Sequence, residues 1–447
     1  VRTPVFVLTP DELEGLAIRL RDRGALSWLD GGAHAGSGEL GRCSHLAFGP
    51  SELSVARMED GDPFAPIRGV SVGPSVGDPR ALLCTVVLTY DAAWSAPSRF
   101  GLRRPLRIAR SPRTIVSWVR RYEAALVYDH ETGEAHLGAH SPEALARAAA
   151  EVRSELERLR SRAAAPLHIA VTDVSSEPRA LHEARIRVAL SAIARGELYQ
   201  VNLARAWRAR WTGSPLALAT AMRRASPVPL GAYLEGPEHT TLIARTMERF
   251  LHVDPRSRRI ESRPIKGTID VRVDSEAALL ASTKERAEHA MIVDLVRNDL
   301  GRVATAGTVR TPSLFRVEPY AHLFHLVSVI EAELREGVTL EEVLLSTFPP
   351  ASISGAPKLA AIEHIEALEE DARGPYTGAL GMIARDGTLS LAVAIRTAEL
   401  VEEGPGQGSL TYFAGGGIVE ASEPLREVEE TELKARAFLD AVASLER

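Results

Sequence analysis

Lysine is almost missing from this chain of 447 residues. Of the 53 Lys+Arg residues only Lys266, Lys284, Lys358 and Lys434 are lysine, and the first 265 residues contain none. An arginine guanidinium stays protonated, whereas a desolvated lysine amine can lose its proton and attack carbon. Lys266 sits in the tight segment Arg263-Pro264-Ile265-Lys266-Gly267-Thr268 rather than on a charged helix face. On local sequence a solvated turn lysine and a reactive one are both admissible there. Cysteine is scarce as well: Cys43 and Cys84 are too few for a disulfide framework and have no metal-ligand spacing. A net charge of −6, a pI near 6.2 and the lack of a basic stripe with interleaved aromatics argue against a nucleic-acid partner. The longest apolar stretch, around 81–88, is far too short for a membrane span, and residues 1–15 hold no signal-peptide core. These absences lead us to expect a soluble, cytoplasmic protein without a membrane partner.

The chain does have an ordinary globular composition, 45% apolar and 25% charged. Its length allows two or three domains, or one large body with an appended region. There is no internal repeat. Residues 1 to about 140 read as short strands broken by Gly/Pro turns, for example 82–90 and 123–128. Residues 141–163 read as an amphipathic helix with Ser141 as N-cap and Pro142 at its first position. The Ala/Arg-rich tail ending near Pro166 marks the expected boundary. Beyond it, long helices (179–195, 283–300, 357–370 and 424–445) alternate with strands such as 389–397 and 409–415. The hairpin-like succession of strands predicts an α+β fold with antiparallel sheets covered by helices.

Two helices carry carboxylates on faces that should be apolar. Glu288 shares a face with Met291, Ile292 and Leu295, at offsets of three, four and seven. An ionised carboxylate there is costly unless it is paired or binds a cation, and a salt bridge to an arginine would serve as well as a metal. On the last helix Glu427, Glu430 and Lys434 fall on one side, next to Leu433, Ala437 and Phe438. Carboxylate-only ligation from two helices suits Mg²⁺, and no Cys/His cluster suggests zinc.

Two glycine segments could present backbone N–H groups to an anion. Ser352-Ile353-Ser354-Gly355-Ala356-Pro357-Lys358 leads into a helix whose N-terminus could hold a carboxylate. Gly415-Gly416-Gly417 closes a strand and lets a ligand approach closely, although a bulge or turn is the commoner use of such a triplet. Arg396 interrupts an apolar strand, and an inward arginine normally has an anionic partner. These features describe a pocket for a small di-acid held by Mg²⁺, arginine and backbone amides.

The same motifs resemble component I of the chorismate-utilising enzymes, most closely that of the aminodeoxychorismate synthases. The matching strings are Gly196-Glu197-Leu198-Tyr199-Gln200-Val201-Asn202-Leu203, Pro264-Ile265-Lys266-Gly267-Thr268, Ala287-Glu288-His289 and Arg297-Asn298-Asp299-Leu300. They continue with the Ser352 segment, Arg373-Gly374-Pro375-Tyr376-Thr377-Gly378, the glycine triplet, and Glu427-x-x-Glu430-Thr431-x-x-Lys434. Lys266, Lys358 and Lys434 lie within them, and Lys284 falls three residues ahead of Ala287. The resemblance is tight over a catalytic domain at 178–442. It is looser over an N-terminal region at 1–165, through Leu29-Asp30-Gly31 and Gly41-Arg42-Cys43-Ser44.

The resemblance implies two antiparallel sheets packed across each other with helices outside. It implies Mg²⁺ on Glu288 and Glu430 with Glu427 in or near that shell, Glu248 as general acid, and His325 against the substrate ring. Arg396, Tyr376, Lys434 and the amides of Gly415, Gly416 and Gly417 would hold the enolpyruvyl side, with Thr268 and Ser354 as further substrate contacts. Gln200 stands where water-adding relatives carry a lysine base, which points to ammonia as the nucleophile. Lys266 stands where anthranilate synthases typically carry alanine, and is the mark of aminodeoxychorismate synthases. Thr246-Met247 replaces the family's Ser-Pro before the acid, which puts the aim of that loop in question. Two alternatives stay open: anthranilate synthase component I, and a non-catalytic relative that binds chorismate or a partner. With no glutaminase signature in the sequence, ammonia is expected from a separate amidotransferase subunit or from solution.

Overall fold

The computed structural model describes residues 4–32, 40–103, 111, 113–271, 275–320 and 323–445. Two sheets of 13 and 10 strands, paired antiparallel throughout, form its centre. They face each other across a buried layer that includes Ala232, Leu234, Leu242 and Ala244 of the larger sheet and Val87, Trp118, Leu380 and Ala392 of the smaller. Helices cover the outer faces. Strand Leu82–Leu88 shows the consequence: Val87 points between the sheets, while Cys84, Val86 and Leu88 point to the helix side. A strand buried on both faces needs no polar alternation, hence its almost unbroken apolar sequence.

The long helices form where their sequence signals lie. Ser141 caps helix Pro142–Ser161 by accepting the Ala144 N–H, and Ser282 caps helix Thr283–Gly301 through the Glu285 N–H. Helix Thr283–Gly301 buries Ile292, Val293 and Val296 against the smaller sheet. Helix Pro424–Leu445 covers the larger sheet, its Phe438 ring stacked on Tyr412 at 4.4 Å. Among the described residues no helix is long and apolar enough to cross a membrane.

Strands from 1–165 are not set apart from the rest. Ser27–Asp30 pairs with Leu230–Glu235 in the larger sheet, and Leu82–Leu88 pairs with Ala379–Ala384 in the smaller. The apolar run at 389–397 is one strand in sequence but two in space. Leu389–Val393 belongs to the smaller sheet and Thr397–Gly404 to the larger, joined by Ala394-Ile395-Arg396 with Arg396 at φ 52°. A second crossing runs beside it, where Met247-Glu248 joins Thr240–Thr246 of the larger sheet to Arg249–Asp254 of the smaller. Val393 N–H donates to the Glu248 carbonyl and Arg245 N–H to the Arg396 carbonyl, both at 3.0 Å.

Candidate functional site

Both crossings open onto a cavity of about 800 Å³ at one end of the sandwich. From the larger sheet, strands Gln200–Gly213 and Gln407–Ile418 pair with Asn202 opposite Gly417. From the smaller sheet, Ile265–Asp270 pairs with Leu323–Glu333, setting Lys266 opposite Leu326 and Thr268 opposite His325. Helices Thr283–Gly301 and Pro424–Leu445 bring Glu288 from one side and Glu427, Glu430 and Lys434 from the other.

Lys266 is part-buried, and its Nζ donates to Asn202 Oδ1 at 3.1 Å. Burial lowers its pKa, with help from the neighbouring Lys434 cation, against the pull of Glu288, Glu248 and Glu430. A Cβ on Gly417 would lie 3.1 Å from that amine, so the missing side chain makes room for it. Glu248 is buried, and desolvation pushes its pKa up to about 7, although a hydrogen bond with Ser352 pulls the other way. Its N–H donates to Thr246 Oγ1, and Met247 packs with Val228 and Tyr320. Without proline, the turn ahead of the acid is held by a hydroxyl bond and a buried side chain.

His325 is held by a 2.9 Å hydrogen bond between Nδ1 and Thr268 Oγ1, which leaves Nε2 without a partner. Burial and the Arg396 and Lys434 cations lower its pKa to about 3, so the ring is neutral. Tyr376 stacks on Phe413 at 5.2 Å, and burial raises its pKa. Arg396 donates to the Lys434 carbonyl and ion-pairs with no carboxylate among the described residues. Lys434 donates to the Gly415 carbonyl at 2.8 Å and pairs with Glu430 at 2.6 Å.

The carboxylates between the two helices are poorly satisfied. Glu288 Oε1 and Glu427 Oε2 are buried without hydrogen-bond partners. Burial and then Glu285 raise the Glu288 pKa to about 7, and burial raises that of Glu427. Glu430 is lowered, chiefly by Lys434. A Cβ on Gly416 would meet Glu427 Oε2 at 3.2 Å and Glu430 Oε1 at 3.7 Å, which sets these two oxygens close together. Among the described residues no three His, Cys, Asp or Glu side chains converge enough to chelate an ion unaided. The donors are all hard oxygens and two are orphaned, an arrangement suited to a cation that keeps waters and shares ligand oxygens.

Not every sequence-derived residue reaches the cavity. Gln200 is fully buried beneath it, with both amide atoms unpartnered and Nε2 beside Gly417. Ser354 turns its hydroxyl to the Pro350 carbonyl. Gly416 faces the carboxylates, while Gly415 and Gly417 line the space, as strand alternation requires. The helix N-terminus expected to hold an anion does not reach the cavity. Gly355–Ala356 pairs with Gln200 and Val201, Lys358 is engaged by Asp299, and the helix begins after Pro357. Only Ser352 and Ile353 of that segment face the ligand space. Conversely, Asn202, Lys284, Glu285 and Arg373 line it without having been singled out. Asn202 and Arg373 lay inside matching strings, but their roles depend on long-range pairing.

A second cavity of about 430 Å³ lies between the sheets and is lined by Leu29, Asp30, Gly31, Gly41, Arg42 and Cys43, among others. Its central carboxylate is fully paired. Asp30 Oδ2 accepts from Arg245 and Arg223 at 3.0 Å each, and Ser44 donates to Oδ1 at 3.3 Å. Burial alone would raise the Asp30 pKa, but the two guanidiniums outweigh it and hold it low.

Residues 86–440 match the family described as chorismate binding enzyme. The chain is similar to anthranilate synthase component 1 of Aquifex aeolicus, 40% identical over 265 residues that cover 58% of this chain and 52% of that protein. To aminodeoxychorismate synthase component 1 of Escherichia coli it is 39% identical over 250 residues, covering 55% and 53%. The chain thus spans about half the length of these curated relatives. Its fold is similar to the crystal structure of anthranilate synthase component I from Streptococcus pneumoniae, with a TM-score of 0.72, 25% identity and coverage of 89% and 92%.

Proposed function

The chain belongs to the chorismate-binding enzyme family, and within it we propose that it is component I of an aminodeoxychorismate synthase. It would convert chorismate and ammonia to 4-amino-4-deoxychorismate for 4-aminobenzoate synthesis. The observation that carries this reading is the Lys266 amine, depressed in pKa and facing the same cavity as the Glu248 acid at about 7. Burial shifts the amine towards the neutral form that a nucleophile needs and lets the carboxyl hold its proton to a higher pH than usual, as an acid must.

In this reading the neutral Lys266 amine attacks C2 of chorismate as Glu248 gives its proton to the 4-hydroxyl, which leaves as water. Ammonia then attacks C4, the ring double bonds shift back, and the lysine nitrogen leaves from C2. The extra proton on the new amine returns to Glu248, so chorismate and ammonia become product and water with the enzyme restored. Occupation of C2 by lysine blocks attack of ammonia there. Arg396, Tyr376, Lys434 and the Gly415 and Gly417 backbone would hold the enolpyruvyl side, with neutral His325 against the ring. Glu288 and Glu430, with Glu427 beside them, would hold Mg²⁺, whose charge would neutralise the ring carboxylate. Ammonia would be supplied by a separate amidotransferase subunit.

The rival reading, anthranilate synthase component I, is favoured by the similarity to the Aquifex aeolicus protein of that name. Incubation with chorismate, Mg²⁺ and an ammonium salt separates the two, because the amino group ends para or ortho to the ring carboxylate. We expect the para product from the wild type, almost no turnover from Lys266→Arg, and slow ortho product from Lys266→Ala. An ortho product from the wild type, or full activity in Lys266→Arg, would sink the proposal. No magnesium-dependent turnover at all would leave a binding protein.

A further inference from the structure

We infer that Asn202 is a positioning residue for the nucleophile: its side-chain oxygen takes one N–H of the Lys266 amine and so turns the amine's lone pair into the cavity. This rests on the reading of Lys266 as the attacking group. Among the described residues, Asn202 is the side chain that hydrogen-bonds Nζ, at 3.1 Å. Its amide orientation follows from its other contact, since Nδ2 faces the Ser352 carbonyl at 3.3 Å and a carbonyl can only accept.

The backbone of Asn202 is fixed as firmly. Its N–H donates to the Ser354 carbonyl at 2.9 Å, and its own carbonyl accepts from Arg373 Nη2 at 2.7 Å. Arg373 in turn is gripped through both oxygens of Glu369, at 2.6 and 2.8 Å. Across the ladder lies Gly417, where a Cβ would come 3.2 Å from Asn202 Oδ1 and 3.1 Å from Lys266 Nζ. The pair occupies space that any other residue at 417 would crowd.

A neutral acceptor suits this task. A neutral amine still has N–H bonds to donate and one lone pair; engaging an N–H with Asn202 directs the lone pair elsewhere. A carboxylate in the same place would hold the amine as an ammonium, which has no lone pair. The amine already lies in the field of Lys434, Glu288, Glu248, Glu430 and, through its own backbone, His289. An uncharged partner orients it without shifting that balance.

The test compares Asn202→Asp and Asn202→Leu in the metal-free full chain and under turnover. Lysine labelled with ¹³C at Cε gives only four signals in this protein, so the Lys266 titration can be followed directly. We expect its midpoint to rise by about one to three units in Asn202→Asp and to fall in Asn202→Leu. Both variants should lose about 10²-fold in kcat, the scale of a misaimed reacting group, while chorismate binding changes less than about threefold. A general loss of structure would not shift one titration in opposite directions. Wild-type kcat in both variants, or midpoints that move the same way, would overturn the inference. Failure of the parent reading looks different: Lys266→Arg would stay active, whatever the Asn202 variants do.

Discussion

The two cavities of this sandwich treat charge in opposite ways. In the smaller one Asp30 is buried among Arg223, Arg245 and Ser44, and every oxygen has a protein partner. In the larger one Glu427 keeps a buried oxygen with none, Glu288 keeps one that accepts no hydrogen bond and has the Lys284 amine 3.9 Å away, and Gln200 lies below with its whole amide unpartnered. Folding alone favours the first arrangement, since an unpaired buried charge is expensive. The second leaves acceptor oxygens open to a group from outside the chain. The contrast, more than the size of either space, is what fits the larger cavity to the proposed chemistry.

The sharpest break should come from exchanging a charge in each place. Glu248→Gln is expected to lower kcat by roughly 10²–10⁴ while the chain folds at least as stably as before, because a disfavoured buried charge is gone. Chorismate turnover beside urea denaturation checks both halves; a stability loss would place Glu248 among the structural charges. Asp30→Ala should do the reverse, costing about 3–5 kcal/mol in denaturation by stranding Arg223 and Arg245. A change below about 1 kcal/mol would show that the Asp30 network is not structural.

A milder probe is the cation itself. Mg²⁺ at a hundred times its dissociation constant should add about 2.7 kcal/mol to the wild type and much less to Glu288→Gln or Glu430→Gln. An equal gain in all three would place the ion elsewhere. A last probe is pH without metal. Glu248 and Glu288 are raised to about 7 in the folded chain, against the usual glutamate value of 4.5, so the native state binds their protons more tightly. Stability should therefore fall as pH rises from 4.5 through 7, and Glu248→Gln should flatten that slope. Asp30, held low, acts oppositely: its contribution is present above the usual aspartate pKa of 3.8 and is lost as pH falls through its folded value. Urea midpoints at a series of pH values would expose a wild-type curve without the decline.

Local signals were legible in the sequence and long-range ones were not. Ser141 and Ser282 announce their helices because capping is settled within three residues. The hairpin-like succession of strands predicts covered antiparallel sheets for the same reason, while their number, two, comes from the family resemblance. The crossing at Arg396 escaped notice because apolar continuity through 389–397 says nothing about which sheet each half joins. Glu288 and Glu430 stood out by sitting on apolar helix faces, a property of one helix at a time. Asn202 did not stand out, because its partner is 64 residues away on a strand of the other sheet and only the packing of the two sheets brings them together. The helix after Pro357 carried a plausible anion signal, but the two residues before Pro357 were claimed by the sheet.

The paired crossings at Met247-Glu248 and Ala394-Ile395-Arg396 have a mechanical consequence. Each runs from one sheet to the other, and two backbone hydrogen bonds rivet them together. The Val393–Glu248 bond extends a ladder of the smaller sheet and the Arg245–Arg396 bond one of the larger, so a slide of one sheet over the other would move the arginine relative to both the acid and the Lys266 strand. The spacing between acid and arginine is thus set by how the two sheets sit on each other rather than by any one loop.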